Sequence, residues 1–191
     1  MLTRLRRKLS SVVEPVAARF ARLASANSYT ALGLVAAGFF ALLCWAGLLL
    51  YALLSLLISG FLDALDGAVA RLRGESSRRG ALLDSTADRL SDVAYSVGLL
   101  FLGYSPLLAL LFAAGSLMVS YVRARFEAIA ERSMEGVGLM ERAERVIALA
   151  LVVILHMVCG QVYGELALAA ATVLVWLSLV QRVVHALREL E

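Results

Sequence analysis

The sequence predicts an all-α integral membrane protein with six transmembrane helices preceded by an N-terminal amphipathic interfacial helix. Three observations lead to this fold class. First, 61% of the 191 residues are hydrophobic and only 17% are charged, which is unusual for a soluble globular domain. Second, the apolar residues form stretches of about 20, the length at which a helix crosses roughly 30 Å of hydrocarbon. Third, basic residues occupy only alternate connections between these stretches.

The apolar stretches follow one another without a long linker, which indicates a single membrane domain over residues 1–191. They cover residues 28–47, 49–72, 82–103, 106–128, 143–161 and 164–187. Before them, apolar side chains such as Leu5, Leu9 and Phe20 recur at helical spacing, with Arg and Lys on the other faces. This pattern is typical of a helix that lies in the membrane interface. We therefore expect an interfacial helix at residues 1–26 and a six-helix core at residues 27–191.

The distribution of Lys and Arg predicts the orientation in the membrane. The short connections at residues 45–48, 103–106 and 160–164 contain neither residue, whereas the alternate connections and both terminal regions are basic. By the positive-inside rule, the basic side faces the cytoplasm. We expect a multi-pass protein of the cytoplasmic membrane, with both termini inside and an even number of crossings.

Four aspartates flank the connection between the second and third stretches. Asp63 and Asp66 lie one helical turn apart, as do Asp84 and Asp88. Two antiparallel helices with a tight connection would bring these carboxylates together just below the membrane surface, where protons or cations must neutralise them. Oxygen ligands without His or Cys favour Mg²⁺ first and Mn²⁺ second, and paired carboxylate helices can hold two ions.

Residues 63–88 resemble the signature of the CDP-alcohol phosphotransferase family. They read DxxDGxxAR, eight residues, then GxxxDxxxD, and every fixed position is filled. These positions are Asp63, Asp66, Gly67, Ala70, Arg71, Gly80, Asp84 and Asp88. The resemblance implies a six-helix membrane enzyme in which an alcohol oxygen attacks the lipid-side phosphorus of a CDP-linked lipid and CMP leaves. It also implies a homodimer.

The same resemblance implies a role for each residue of the motif. Asp63, Asp66 and Asp84 would be the principal metal ligands. Asp88 would either ligate metal or act as the catalytic base on the acceptor hydroxyl. The residues expected to contact the CDP moiety are Asp66, Gly67, Ala70, Arg71 and Gly80, and the small ones among them leave space for a ligand.

Arginines outside the motif indicate the chemistry of the acceptor. Arg123, Arg142, Arg145 and Arg182 enter their helices from the cytoplasmic side, and guanidinium groups bind phosphate bidentately, so together they can form a pocket for a phosphate monoester. Their neighbour Arg125 is expected to face outward. The stretches SYVRARFEA and GLMERAER are similar to the branch of the family that uses inositol phosphate, the phosphatidylinositol phosphate and archaetidylinositol phosphate synthases. This similarity implies inositol 1-phosphate as the acceptor.

Two other functions remain open. An enzyme of the phosphatidylglycerol phosphate synthase type, using glycerol 3-phosphate, would share the motif. A membrane cation transporter is the alternative from another class, because carboxylates inside membranes also mark ion pathways. Aspartates gathered at one helix end favour the enzyme. We expect a CDP-lipid donor, a phosphorylated alcohol and the lipid bilayer as partners, and no nucleic acid.

Overall fold

The computed structural model describes residues 17–75 and 77–190, and every regular element in these ranges is a helix. In chain order the long helices are α1 (Ala26–Trp45), α2 (Leu49–Arg73), α3 (Arg78–Phe101), α4 (Pro106–Ala130), α5 (Arg142–Cys159) and α6 (Gln161–Leu190). A short helical stretch at residues 17–20 precedes α1. The predicted all-α class is confirmed. Most of the predicted interfacial helix, residues 1–16, lies outside the described residues.

Four of the described helices, α1, α2, α4 and α6, are long and apolar enough to cross a membrane. This agrees with the predicted integral membrane protein. Helices α3 and α5 are not among these four, and each carries at least three charged side chains. Asp84 and Asp88 belong to α3, and Arg142 and Arg145 belong to α5.

The connection between α2 and α3 is short because both helix ends are capped locally. Gly74 follows α2 with a φ of +64°, a left-handed conformation that is costly for residues with a Cβ atom. Ser77 precedes α3, and its Oγ accepts a hydrogen bond of 3.1 Å from the backbone N–H of Gly80. The chain therefore reverses direction within a few residues, so the end of α2 and the start of α3 lie at the same end of the bundle.

Helix α1 is the element against which both α2 and α3 pack. A buried chain of hydrogen bonds joins the three helices. The hydroxyl of Tyr95 in α3 donates to Oγ of Ser59 in α2 at 2.7 Å, and Ser59 donates to the carbonyl of Gly33 in α1 at 2.7 Å. Ser59 lies one turn before Asp63. These bonds therefore help to set the separation of the two helices that carry the motif.

The remaining helices close the other side of the bundle. Helix α5 packs against α2 and α6, and α4 packs against α3 and α6. Large apolar side chains such as Leu50, Val158 and Leu166 remain exposed on the outside of the helices. Lipid tails can cover such side chains. The packing of α5 on α2 places the first turn of α5 beside the aspartates.

Candidate active site

Three carboxylates meet where the end of α2 faces the start of α3. Asp63 and Asp66 come from successive turns of α2, and Asp84 comes from α3. One carboxylate oxygen of each lies within 4.8 Å of the others. Asp66 is buried, and the other two are partly buried. The structure thus brings together three of the four predicted metal ligands in one group, hereafter the aspartate group.

A threonine of α1 holds one member of the aspartate group. The hydroxyl of Thr30 donates a hydrogen bond of 2.6 Å to Oδ2 of Asp66. Partners of this kind orient a ligating carboxylate. No sequence pattern points to Thr30, because only the packing of α1 brings it to a residue 36 positions further along the chain.

Asp88 is linked to the aspartate group through an arginine. Arg142, the first residue of α5, places Nη1 at 2.8 Å from Oδ1 of Asp88 and Nε at 3.1 Å from Oδ2 of Asp63. Arg89 is further away, with Nη1 at 4.0 Å from Oδ2 of Asp88. From the sequence, Arg142 is predicted to bind the acceptor phosphate alone. The structure also places it in contact with two of the predicted metal ligands.

The aspartate group fits a hard divalent cation. Its members offer carboxylate oxygens only, the donors that Mg²⁺ and Mn²⁺ prefer. The ion pair between Arg142 and Asp63 shows that this part of the protein already stabilises a positive charge. The residues suited to hold a metal are therefore Asp63, Asp66 and Asp84.

A cleft of about 220 Å³, hereafter the first cleft, opens beside the aspartate group between α1, α2 and α3. It is lined by all the residues that were predicted to contact the CDP moiety, namely Asp66, Gly67, Ala70, Arg71 and Gly80. Asn27 and Thr30 of α1 and Ser77 of the turn also line it. The motif residues thus share one surface.

Packing within the chain does not explain the glycine at position 67. Apart from its chain neighbours and the backbone of its own helix, a Cβ atom built there would meet no described protein atom closer than Nη1 of Arg71, at 3.5 Å, which is ordinary van der Waals contact. The absent side chain instead keeps space open in the first cleft. This is the expected arrangement where a ligand approaches a helix backbone closely.

A second cavity of about 190 Å³, hereafter the arginine cavity, lies on the α4 and α5 side of the aspartates. The four predicted phosphate-binding residues all line it, namely Arg123, Arg142, Arg145 and Arg182. Arg125 is exposed, as expected, and is absent from the lining among the described residues. Asp88 lines the arginine cavity, and Asp84 lines both this cavity and the first cleft. The two spaces therefore meet at the aspartates.

Arg145 is one of two deeply buried arginines that line the arginine cavity, the other being Arg182. Nη2 of Arg145 lies 2.9 Å from Oδ2 of Asp92, and these two side chains are only 4% and 5% exposed. A charge so far from water needs a partner, because its desolvation is costly. Asp92 is not among the predicted site residues. Its position one turn after Asp88, on the same helical face, is a sequence signal that points to it.

The two other arginines of the cavity, Arg182 and Arg123, have partners in α4 and in the loop after it. Arg182 donates hydrogen bonds to the carbonyls of Val119, at 2.9 Å, and Val137, at 2.8 Å. Nε of Arg123 lies 3.0 Å from Oε1 of Glu127. A guanidinium has five N–H groups, so these contacts do not use all the donors of either residue. Nη2 of Arg182 also lies 3.7 Å from Oε1 of Glu141, and both arginines keep further N–H groups for an anion in the cavity.

Comparison with known proteins agrees with this site. The sequence profile of the CDP-alcohol phosphatidyltransferase family matches residues 23–184. An archaetidylinositol phosphate synthase from Aeropyrum pernix is 40% identical over 199 residues, which cover 100% of this chain and 98% of that protein. One from Methanothermobacter thermautotrophicus is 34% identical over 192 residues, which cover 100% of this chain and 96% of that protein.

Two crystal structures of phosphatidylinositol phosphate synthase from Mycobacterium tuberculosis are also similar. The complex with manganese and citrate has a TM-score of 0.77 and 28% identity, over 92% of this chain and 88% of that one. The structure with CDP-DAG bound has a TM-score of 0.69 and 30% identity, over 94% of this chain and 92% of that one. The motif, the helical bundle around it and these matches agree, and the chain belongs to the CDP-alcohol phosphatidyltransferase family.

Proposed function

We propose that this protein transfers a phosphatidyl or archaetidyl group from a CDP-linked lipid to a phosphorylated polar alcohol, with inositol 1-phosphate as the favoured acceptor, and releases CMP. The observation that carries the proposal is that the first cleft and the arginine cavity meet at Asp84. A transfer between two substrates needs this arrangement, because the donor phosphorus and the acceptor hydroxyl must reach the same groups. The similar archaetidylinositol phosphate synthases support the assignment.

The first cleft suits the CDP part of the donor. The small residues Gly67, Ala70 and Gly80 leave space in the cleft for a ligand. Arg71 supplies positive charge for a pyrophosphate. One of the similar mycobacterial structures holds CDP-DAG. The cleft chemistry concerns the nucleotide end of the donor, so diacyl and ether-linked lipids are both compatible with it.

We assign Asp63, Asp66 and Asp84 as the metal ligands. The metal in this proposal is Mg²⁺ or Mn²⁺, and the site holds two ions. Asp88 serves as a further ligand or as the base. The similar mycobacterial enzyme was crystallised with manganese. A divalent cation held there would supply charge neutralisation at the donor pyrophosphate.

The rest of the proposed reaction consists of a bond exchange at phosphorus and a proton transfer. The acceptor oxygen forms a bond to the lipid-side phosphorus, the bond from that phosphorus to the CMP oxygen breaks, and CMP leaves with the electron pair. The hydroxyl proton must pass to a base at the same time. Asp88 is the candidate, because it lines the arginine cavity beside Asp84, where the hydroxyl would lie.

The arginine cavity suits the phosphate of the acceptor. We assign its recognition to Arg123, Arg142, Arg145 and Arg182, which together offer more donors than one phosphate can accept. Choline or ethanolamine would gain nothing from this lining. Glycerol 3-phosphate carries the same phosphate group and is the second candidate. Membership of a transferase family disfavours a cation transporter.

We further infer six crossings of the cytoplasmic membrane by a single domain of residues 1–191. The interfacial helix predicted at residues 1–26 would end by residue 20, because residues 21–25 are not helical and α1 begins at Ala26. Helices α3 and α5 contain 24 and 18 residues. At 1.5 Å per residue they are about 36 and 27 Å long, close to the roughly 30 Å of hydrocarbon. Their charged ends lie beside the basic connections, which supports an active site and both termini on the cytoplasmic side. The homodimer is proposed from the resemblance to the family.

The test is an acceptor panel in liposomes, with CMP release as the measurement. Inositol 1-phosphate should be the best acceptor, glycerol 3-phosphate should follow, and inositol, serine and choline should be poor. Excess EDTA should abolish release, and Mg²⁺ or Mn²⁺ should restore it. Full activity in EDTA, or a preference for choline or serine, would reject the proposal.

Substitutions test the arginine cavity separately. Arg182→Ala removes hydrogen bonds to a charged group, worth about 1.5–3 kcal/mol, so the acceptor KM should rise by about 10- to 150-fold. The KM of the CDP-lipid should change little. Arg125→Ala removes an exposed arginine of α4 that is absent from the cavity lining among the described residues, and this variant should behave like the unaltered protein. Equal effects of both substitutions would mean that the cavity does not bind the acceptor.

A further inference from the structure

Arg142 belongs to two sites at once. Its guanidinium contacts Asp63 at 3.1 Å and Asp88 at 2.8 Å, and the same side chain lines the arginine cavity. The side chain is only 16% exposed, so these ion pairs are poorly screened by water. One cation thus connects the predicted metal ligands with the predicted phosphate pocket.

Charge explains why Arg142 occupies this position. Three carboxylates lie within 4.8 Å of one another, and Asp88 adjoins them. Such a group is unstable without positive charge beside it. Among the ion pairs of the described residues, Arg142 is the cation that reaches both Asp63 and Asp88. It therefore serves as the counter-ion of the aspartates.

A divalent cation on these aspartates would change that balance. It would supply the positive charge that Arg142 now supplies, and the two like charges would repel each other. The guanidinium would then be free to pair with another anion, and the arginine cavity is the space that it already lines.

We propose that Arg142 is the internal counter-ion of the metal site, and that metal binding releases its guanidinium to the phosphate of the acceptor. The second half rests on the proposed function, because it requires an acceptor that carries a phosphate. Coupling between two ligands is reciprocal, so metal and acceptor must each tighten the binding of the other. Without metal, Arg142 would stay paired with the aspartates, and the acceptor pocket would offer less positive charge to a phosphate. Acceptor binding would therefore be weaker until metal is bound.

The other arginines of the cavity provide the matched controls. Arg123 pairs with Glu127, and Arg145 pairs with Asp92, so neither competes with a metal for the aspartate group. Replacing Arg123 should weaken the binding of the acceptor without changing the affinity for metal. Replacing Arg142 should change both.

The experiment measures Mn²⁺ affinity of the full chain in detergent, from the electron paramagnetic resonance signal of free Mn²⁺, with and without inositol 1-phosphate or glycerol 3-phosphate. In the unaltered protein, phosphate should raise Mn²⁺ affinity by about 5- to 150-fold, the usual range of coupling between sites. In the absence of phosphate, Arg142→Gln should bind Mn²⁺ more tightly than the unaltered protein does. Added phosphate should change the Mn²⁺ affinity of this variant little. Arg142→Lys keeps a cation and should retain part of the coupling. Arg123→Ala should show the unaltered Mn²⁺ affinity without phosphate.

Arg142→Ala is the second variant, and thermal unfolding identifies any variant that fails to fold. Mn²⁺ affinity in Arg142→Gln and Arg142→Ala that is equal to or below that of the unaltered protein would overturn the counter-ion role. Full coupling in these variants, or none in the unaltered protein with either phosphate, would overturn the release to the acceptor. A failure of the proposed function looks different, because CMP release to inositol 1-phosphate would be missing while Arg142→Gln still binds Mn²⁺ more tightly.

Discussion

Removal of Asp92 is expected to destabilise the protein through the arginine that it leaves behind. The carboxylate lies 2.9 Å from Nη2 of Arg145, and the side chains are 5% and 4% exposed. Asp92→Ala would leave a buried guanidinium without a carboxylate, and breaking a buried ion pair in this way costs about 3–5 kcal/mol. In a chain of this length, that corresponds to a fall in Tm of roughly 6–20 °C.

Thermal unfolding in detergent measures this effect, and the chain offers a matched control. Arg132 and Glu189 form an ion pair of 3.5 Å whose side chains are 70% and 44% exposed. Exposed pairs contribute only about 0–1 kcal/mol, so Arg132→Ala should hardly change the Tm. A double variant, Asp92→Leu with Arg145→Met, removes both buried charges and should recover most of the lost stability.

The result that refutes this reasoning is a Tm for Asp92→Ala that equals the Tm of Arg132→Ala. A double variant less stable than Asp92→Ala would also refute it, because the cost would then come from lost packing rather than from the unpaired charge. The double variant should have a poor acceptor KM even when it is stable, since Arg145 lines the arginine cavity.

Two further predictions concern the donor side of the site. Thr30→Val removes the 2.6 Å hydrogen bond to Asp66 and should lower metal affinity by about 10- to 100-fold, measured by Mn²⁺ titration, whereas Thr30→Ser keeps the hydroxyl and should retain the affinity. Gly67→Ala places a methyl group in the first cleft and should raise the KM of the CDP-lipid about tenfold with an unchanged or higher Tm, because the added Cβ meets no described protein atom closer than 3.5 Å. Loss of metal affinity in Thr30→Ser, or an unchanged donor KM in Gly67→Ala, would contradict these roles.

The local part of the site was predictable from the sequence because helical spacing decides which side chains share a face. Asp63 and Asp66 on α2 lie on such a face, as do Asp84 and Asp88 on α3. Spacing does not determine whether both pairs act as one set of ligands. In the structure three of them form the aspartate group, while Asp88 joins it through Arg142.

Residues that support the site were harder to predict, because their partners lie on other helices. Thr30 reaches Asp66 only because α1 packs against both α2 and α3. The ion pair of Asp92 forms only because the fold brings Arg145 of α5 into contact with it. Nothing in the sequence around either residue encodes these distances.

The sequence by itself determined the helical class, the core helices to within a few residues, the motif and the four arginines of the cavity. These features depend on hydrophobicity and on helical periodicity, which act over short stretches of chain. Only the tertiary structure decided that the first cleft and the arginine cavity meet at Asp84, and that Arg142 contacts Asp63 and Asp88 while lining the arginine cavity. The reason is physical: electrostatic contacts depend on distances between helices, and packing of α1 and α5 around α2 and α3 sets those distances.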